Sequence, residues 1–408
     1  MRTTWGSCIA LLASCAGGGD SASKVNLPTT PAATSDTLVA RELAAGVSYR
    51  KFQDPGAPNV MYLVRVDLRR TDLELRHVRA NDQLTGLEKT SDMARRVAAT
   101  GATVLAAVNG DFFATAGNNE NNQVIASEWW KGLQASESTF DTFDCAHAQF
   151  GVDASGRPLL GLFVLDGKAW VRGAVMTIAT VNSVPSGVPV AATLYTWRFG
   201  ATTPRDTVRK TTEAPLSAAG RRGDTVLYVR RGAVASAPQT AIPANGAVLV
   251  AYGTGTTAQG VQTAADGDTV KVLLSTTPRP GSGQVPALLI GGWPQILRDG
   301  VNIAGQSSSL EGTIASNTDN RHPRTAIGFS RDSSTLYLLV VDGRTTLSIG
   351  VTTTQLADLL RQLGAWHAMN FDGGGSTTMV VQGAVVNAPT DPTGERAVGD
   401  ALLLVKKP

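Results

Sequence analysis

Two stretches alternate apolar and polar side chains with the period of a half-buried strand: Val60 to Asp67, and Leu73-Glu74-Leu75-Arg76-His77-Val78. Arg69-Arg70-Thr71-Asp72 forms the turn between them. The period then lengthens. Thr90 to Ala99 predicts a helix capped by Thr90 or Ser91, with Met93, Ala94, Val97 and Ala98 on one face. Thr103 to Val108 is an unbroken apolar run, which reads as a strand buried on both faces. From 150 to 310 the pattern is a series of short strands, at Leu159–Val164, Lys168–Arg172, Thr225–Val229, Ala247–Tyr252 and Thr269–Leu274. Asp166-Gly167 reads there as a hairpin turn, and Leu288-Leu289-Ile290 as a further apolar run ending in glycines. Thr325–Phe329 and Thr335–Val341 predict a pair of strands about the turn Arg331–Ser334. A capping-box spacing at Thr352 and Gln355, a leucine face at 356, 359, 360 and 363, and Gly364 at the end make the clearest helix. Sheets with few helices and no repeat period imply an α+β fold, a mixed and mostly antiparallel sheet system in a single large domain over 47–408.

The front of the chain has another character. Arg2 followed by the short apolar stretch Trp5–Ala13 reads as an export signal, too brief to span a bilayer. Leu12-Ala13-Ser14-Cys15 resembles a lipobox, so 1–14 is expected to be a lipoprotein signal and Cys15 the lipidated residue. Ala16 follows Cys15, which points to the bacterial outer membrane, with lipid as the only membrane contact. Residues 15–46 then read as lipidated Cys and flexible linker. With Cys8 removed and Cys15 modified, Cys145 is left alone, so no intramolecular disulfide is expected. A net charge of +3 on 408 residues, without a basic stripe interleaved with aromatics, excludes a nucleic-acid partner.

Chemistry-bearing residues gather at predicted strand ends. Asn109 and Asp111 follow the buried run, and the asparagine-rich stretch 118–122 follows them. Arg321-His322-Pro323-Arg324-Thr325 opens one strand, and Asp342-Gly343-Arg344 closes the next. Asn370-Phe371-Asp372-Gly373-Gly374-Gly375-Ser376-Thr377-Thr378 carries three glycines in a row. Glycines let the backbone approach a ligand closely, and successive N–H groups, with the hydroxyls of Ser376 and Thr377, suggest an anion nest. Arg324 and Arg344 are forks suited to phosphate oxygens. Asp372, Asp342 and Asp111 are candidates for acid, base or nucleophile, as in glycoside cleavage by carboxyl groups. His322 beside the arginines is a further candidate for binding or acid catalysis. No Gly-x-Ser-x-Gly elbow is present, and the four histidines lack zinc spacing. The metal content is unknown at this level; Asn and Asp oxygens in the acidic loops suit Ca2+.

Taken in order, Asn109-Gly110-Asp111-Phe112-Phe113, Arg321 to Gly328, Val341 to Arg344 with Ser348 and Gly350, and the Asp372 glycine loop resemble the phosphodiester glycosidase family over about residues 55–405. The resemblance implies an enzyme that cleaves the glycosidic bond of a sugar-1-phosphodiester in envelope or extracellular glycans. Its substrate would be a phosphorylated glycan or a sugar-nucleotide-like molecule, and exopolysaccharide-related members are among its bacterial forms. It implies binding roles for Arg324, Thr325, Arg344, Asn109, His322 and Gly373 to Thr377, and catalytic roles for Asp372, Asp342 and Asp111. Two departures stand out: Asp111 where the family often has glycine, and Phe371 where it often has leucine. A phosphoglycan-binding or exopolysaccharide-assembly lipoprotein without chemistry, and a glycosidase acting on phosphate-free glycans, are the alternatives.

Overall fold

The structure, a computed structural model, describes residues 36–407 apart from 55–56, 85, 114–122, 126–128, 132–146, 154, 186–190, 224, 278–285 and 312–319. The proposed signal, Cys15, Cys145 and the asparagine-rich stretch 118–122 lie outside the described residues.

Strand alternation here produces a four-layer stack. An eight-stranded sheet carries Val60–Asp67, Thr335–Val341, Arg324–Phe329 and His367–Asn370 side by side, all antiparallel. A five-stranded sheet carries Met379–Val381, Thr103–Asn109, Asp400–Lys406 and Leu73–Arg79. Successive strand side chains point to opposite faces, so each sheet buries both. Tyr62, Val64, Ile327, Leu338 and Met369 face Ala106, Val108, Met379 and Leu402 across the inter-sheet core. Their sequence neighbours Leu63, Ala326, Leu339 and Ala368 face outward, beneath Leu356 and Leu360 of the helix Thr353–Gln362. On the other side Ala107, Val380 and Leu403 lie under Met93 and Ala94 of the helix Thr90–Ala98. A fully buried leucine such as Leu356 contributes about 2 kcal/mol. The capping box at Thr352 and Gln355 forms as expected and contributes about 1 kcal/mol.

The α+β reading, with antiparallel sheets dominant, is thus met. Three details differ. Asp36–Ala44, placed in the linker by composition, is a strand paired with Val47–Gln53 at the edge of the large sheet. Asp166-Gly167 lies inside the strand Val164–Val171 rather than in a turn, because Asp166 is paired on one edge and Gly167 on both. The β-rich middle contains a closed seven-stranded barrel between Val164 and Thr277, with its own core of residues such as Ile178, Leu194, Leu216, Leu249 and Val272.

Candidate active site

The glycine loop joins the two sheets. Its leading strand, His367–Asn370, belongs to the eight-stranded sheet, and the strand leaving it, Met379–Val381, belongs to the five-stranded one. Two asparagine side chains hold this crossing. Asn109, at the end of its buried strand, donates to the Asp372 carbonyl at 2.7 Å. Its Oδ1 accepts from Thr325 Oγ1 at 2.7 Å and from the Thr378 amide at 3.1 Å. Asn387 donates to the Thr377 carbonyl at 3.0 Å and accepts from the Met379 amide at 2.8 Å. Asp372 itself donates its amide to the Gly110 carbonyl at 3.0 Å. Buried amides with every polar atom paired hold one geometry, so the loop is fixed at both ends.

Inside the loop, Gly374–Ser376 makes one 3-10 turn with Gly374 at φ +61. The Gly373 amide donates to Asp372 Oδ1, Gly374 to the Pro323 carbonyl, Ser376 to the Gly373 carbonyl and Thr377 to the Gly374 carbonyl. The N–H groups expected to form an anion nest are therefore occupied within the protein at Gly373, Gly374, Ser376 and Thr377. Positive charge comes from side chains instead. A Cβ on Gly374 would lie 2.9 Å from Arg344 Nη2, and one on Gly375 only 2.3 Å from Arg396 Nη2. Each glycine makes room for one guanidinium, so two cations lie against the loop. Gly375→Ala is accordingly expected to push Arg396 aside and weaken binding of a phosphomonoester at least tenfold, read by calorimetry.

The Arg396 side chain is 40% exposed. Its Nε is held by Asp391 at 2.6 Å and its Nη1 reaches Ser376 Oγ at 3.3 Å. Arg344 is exposed, adopts the left-handed region at φ +62, and its Nη2 stands 3.3 Å from His322 Nδ1. A non-glycine residue in that region is a backbone cost retained at functional sites. Burial, then the charges of Arg324 and Arg344, lowers the His322 pKa, which favours its neutral form.

Asp372 is partly exposed, and its carboxyl is pushed up to about 6, chiefly by burial. Hydrogen bonds from Ser376 and the Gly373 amide, and the Arg396 charge, oppose that rise; the Asp400 charge adds to it. A carboxyl that changes charge near neutrality beside cationic forks suits proton transfer next to an anionic group.

The other predicted residues fall in different places. Asp342 is 5% exposed and fully bound: it accepts from Tyr62 Oη at 2.9 Å, from Asn387 Nδ2 at 3.2 Å and from the Ala388 amide. It orients the asparagine clamp, and no direction is left open for a substrate. Asp111 is 1% exposed, and its Oδ1 accepts the Phe112 amide. Asn109 and Thr325 are fully buried beneath the loop and support it. Arg324 is also fully buried, with Nε donating to the Val351 carbonyl at 3.1 Å and Nη2 to the Asn320 carbonyl at 3.0 Å. Burial lowers its pKa to about 10, and Asp372 is the carboxylate that opposes this. Arg324 therefore backs Asp372 from below, and Arg344 with Arg396 forms the exposed pair. Arg396 and Asn387 were not predicted; they belong to a turn-rich segment whose only signal is a polar run after the last glycine motif. Among the described residues no group of three metal-ligating side chains is present. A cavity of about 690 Å3 lined by Leu75, Leu288 and Leu404 lies away from this chemistry, behind the Leu73–Arg79 strand.

Residues 217–405 match the phosphodiester glycosidase family. The resemblance carried by the motifs is thereby borne out for the three later ones, while Asn109-Gly110-Asp111 precedes the matched segment. Among curated proteins, an uncharacterised SPbeta prophage-derived protein of Bacillus subtilis is 40% identical over 84 residues, 21% of this chain and 13% of its own. The mouse N-acetylglucosamine-1-phosphodiester alpha-N-acetylglucosaminidase is 31% identical over 110 residues, 25% of this chain and 21% of that protein. The chain thus spans about a fifth or less of the curated relatives it matches. Two solved structures share the fold. A hypothetical protein from Synechocystis superposes with a TM-score of 0.68 at 19% identity, covering 89% of this chain and 63% of its own. A protein of Burkholderia pseudomallei described as exported gives 0.62 at 23%, covering 86% and 74%. No helix among the described residues is long and apolar enough to cross a membrane.

Proposed function

We propose that the protein hydrolyses the glycosidic bond of a sugar-1-phosphodiester in an envelope or extracellular glycan, releasing a sugar and a phosphomonoester. The observation that carries this is Asp372, a carboxyl near pKa 6, on a loop whose two central glycines each make room for a guanidinium. Match to the phosphodiester glycosidase family supports the bond type. The leaving oxygen belongs to a phosphate, which departs as a stable anion, so charge stabilisation matters more than protonation of the leaving group. Arg344 and Arg396 supply it. Asp372 accepts a proton from the attacking water, the water oxygen bonds to the anomeric carbon, and the C–O bond to phosphate breaks with its electron pair leaving on the phosphate. Export and anchoring of the domain through Cys15 complete the reading.

The deciding experiment is hydrolysis of an α-linked sugar-phosphodiester panel in 18O water by the chain from Asp36. The label is expected in the sugar, with a phosphomonoester as co-product. Label in phosphate would make the protein a phosphodiesterase. Turnover of phosphate-free glycans alone would remove the arginine pair from the mechanism, and a bound but unchanged ligand would leave a binding protein. Because Asp372 must be ionised, kcat/KM is expected to fall about tenfold per pH unit below about 6 and to level off above it. A profile flat from pH 4.5 to 7 would exclude Asp372 as the base.

A further inference from the structure

Beneath the Asn109-Gly110-Asp111 turn lies a second set of charged side chains that the hydrolysis does not use. His77 and Asp400 have fully buried side chains on adjacent paired strands, with His77 Nε2 2.6 Å from Asp400 Oδ2. The other ring nitrogen, Nδ1, is 3.0 Å from the Leu289 carbonyl. A carbonyl oxygen only accepts, so Nδ1 carries a hydrogen. A further hydrogen must then lie between Nε2 and the carboxylate. The second Asp400 oxygen accepts the Asp111 amide at 2.8 Å. That same oxygen lies where a Gly110 Cβ would stand, 2.5 Å away, which is why the turn needs glycine there. Gly110 in turn accepts the Asp372 amide at 3.0 Å. A short path of hydrogen bonds and one turn therefore links the dyad to the reacting loop.

We infer that Asp400, charge-balanced by a doubly protonated His77, is a positioning residue that acts on Asp372 through the Asn-Gly-Asp turn and adds to the acid limit of the reaction. This rests on Asp372 being the base. The charged groups around Asp372 are Arg324, Arg344, Arg396 and Asp400; those around the dyad are Arg79 and Asp111. Asp400 brings a negative charge to bear on Asp372, and it presents its carboxylate to the turn while His77 stands behind it.

The geometry supplies a clean variant. In Asp400→Asn the amide oxygen still accepts from Asp111, the amide NH2 donates to Nε2 of a neutral His77, and Nδ1–H still donates to Leu289. These three hydrogen bonds survive and the charge separation goes, so the variant is expected to fold with an unchanged circular dichroism spectrum. The acid limb of kcat/KM on an α-sugar phosphodiester is expected to move down by roughly half a pH unit, as for a partly balanced charge acting across a turn. His77→Gln keeps a donor to Asp400 but removes the balancing charge, and should move the limb upward. Nitrogen-15 spectra give a readout without activity, with the His77 resonances assigned by their loss in His77→Gln. His77 should show two ring N–H groups in the native protein and one in Asp400→Asn. An unmoved limb in both variants, or a singly protonated His77 in the native protein, overturns the inference. Full activity in Asp372→Asn would instead overturn the parent reading, leaving the spectra to judge the dyad alone.

Discussion

Asp372→Asn is expected to lower kcat by three orders of magnitude or more and at the same time to make the protein more stable. The loss follows from removing the base; a single positioned acid–base group contributes about 10²–10⁴-fold, and here it is the only one of the three predicted carboxylates that is not fully committed to hydrogen bonds or buried. The gain follows from linkage. Folding raises the carboxyl from 3.8 to about 6. The folded state therefore holds its proton more tightly than the unfolded one. Stability is greatest below pH 3.8, declines as pH rises towards about 6, and stays reduced above it. The full difference would be ~3 kcal/mol, and partial exposure brings it to about 1–2 kcal/mol. Asparagine carries no such penalty and keeps the oxygen that accepts the Gly373 amide. Urea denaturation at pH 7 should show a higher midpoint, and the difference should vanish near pH 3.5. A variant that is less stable than native at pH 7, or that turns over within tenfold of it, contradicts this account.

The second large effect is expected from the guanidinium pair. Arg344→Ala and Arg396→Ala should each lower kcat/KM by about 10²-fold, since a single preorganised donor to developing charge contributes about 10²–10³. The double variant should lose less than the product if, as proposed, the two forks serve one phosphate. The loss should fall more on kcat than on KM if the charge is met as the bond breaks. Inhibition by the phosphomonoester product should weaken in parallel, tested by titration at fixed substrate. Arg324→Lys makes the contrast: Arg324 is fully buried and tied to two carbonyls, so its replacement should act through the fold and the acid limb rather than through product affinity. Product affinity unchanged in both alanine variants would remove the pair from the phosphate site.

How far the residues spoke for themselves depends on range. The capping box at Thr352 and Gln355 and the pattern along Val60–Asp67 are local signals, and both elements formed where they pointed, although Met61 to Val64 are buried on both faces of the strand rather than one. The four motifs were visible because glycines, arginines and carboxylates cluster at strand ends. What each one does was not, because that depends on which atoms meet across hundreds of residues. Asp342 looked as free as Asp372, until Tyr62, 280 positions away, and Asn387 proved to hold it. Arg396 carried no local mark; only the missing Cβ of Gly375 announces it, and only once the loop is folded. Composition likewise missed the strand Asp36–Ala44, since edge strands tolerate polar sequence that a central strand would not.

The barrel's entry and exit are neighbours. Val164, where the chain enters it, is the direct antiparallel partner of Thr277, where the chain leaves. Its core also takes in Leu289, on the strand Leu288–Gly291 of a neighbouring sheet, so the module is seated against that sheet while its two ends lie side by side. A module entered and left at one doorway can be lengthened at its far end, which gives engineers a place to graft a new recognition unit at a distance from the Asp372 loop.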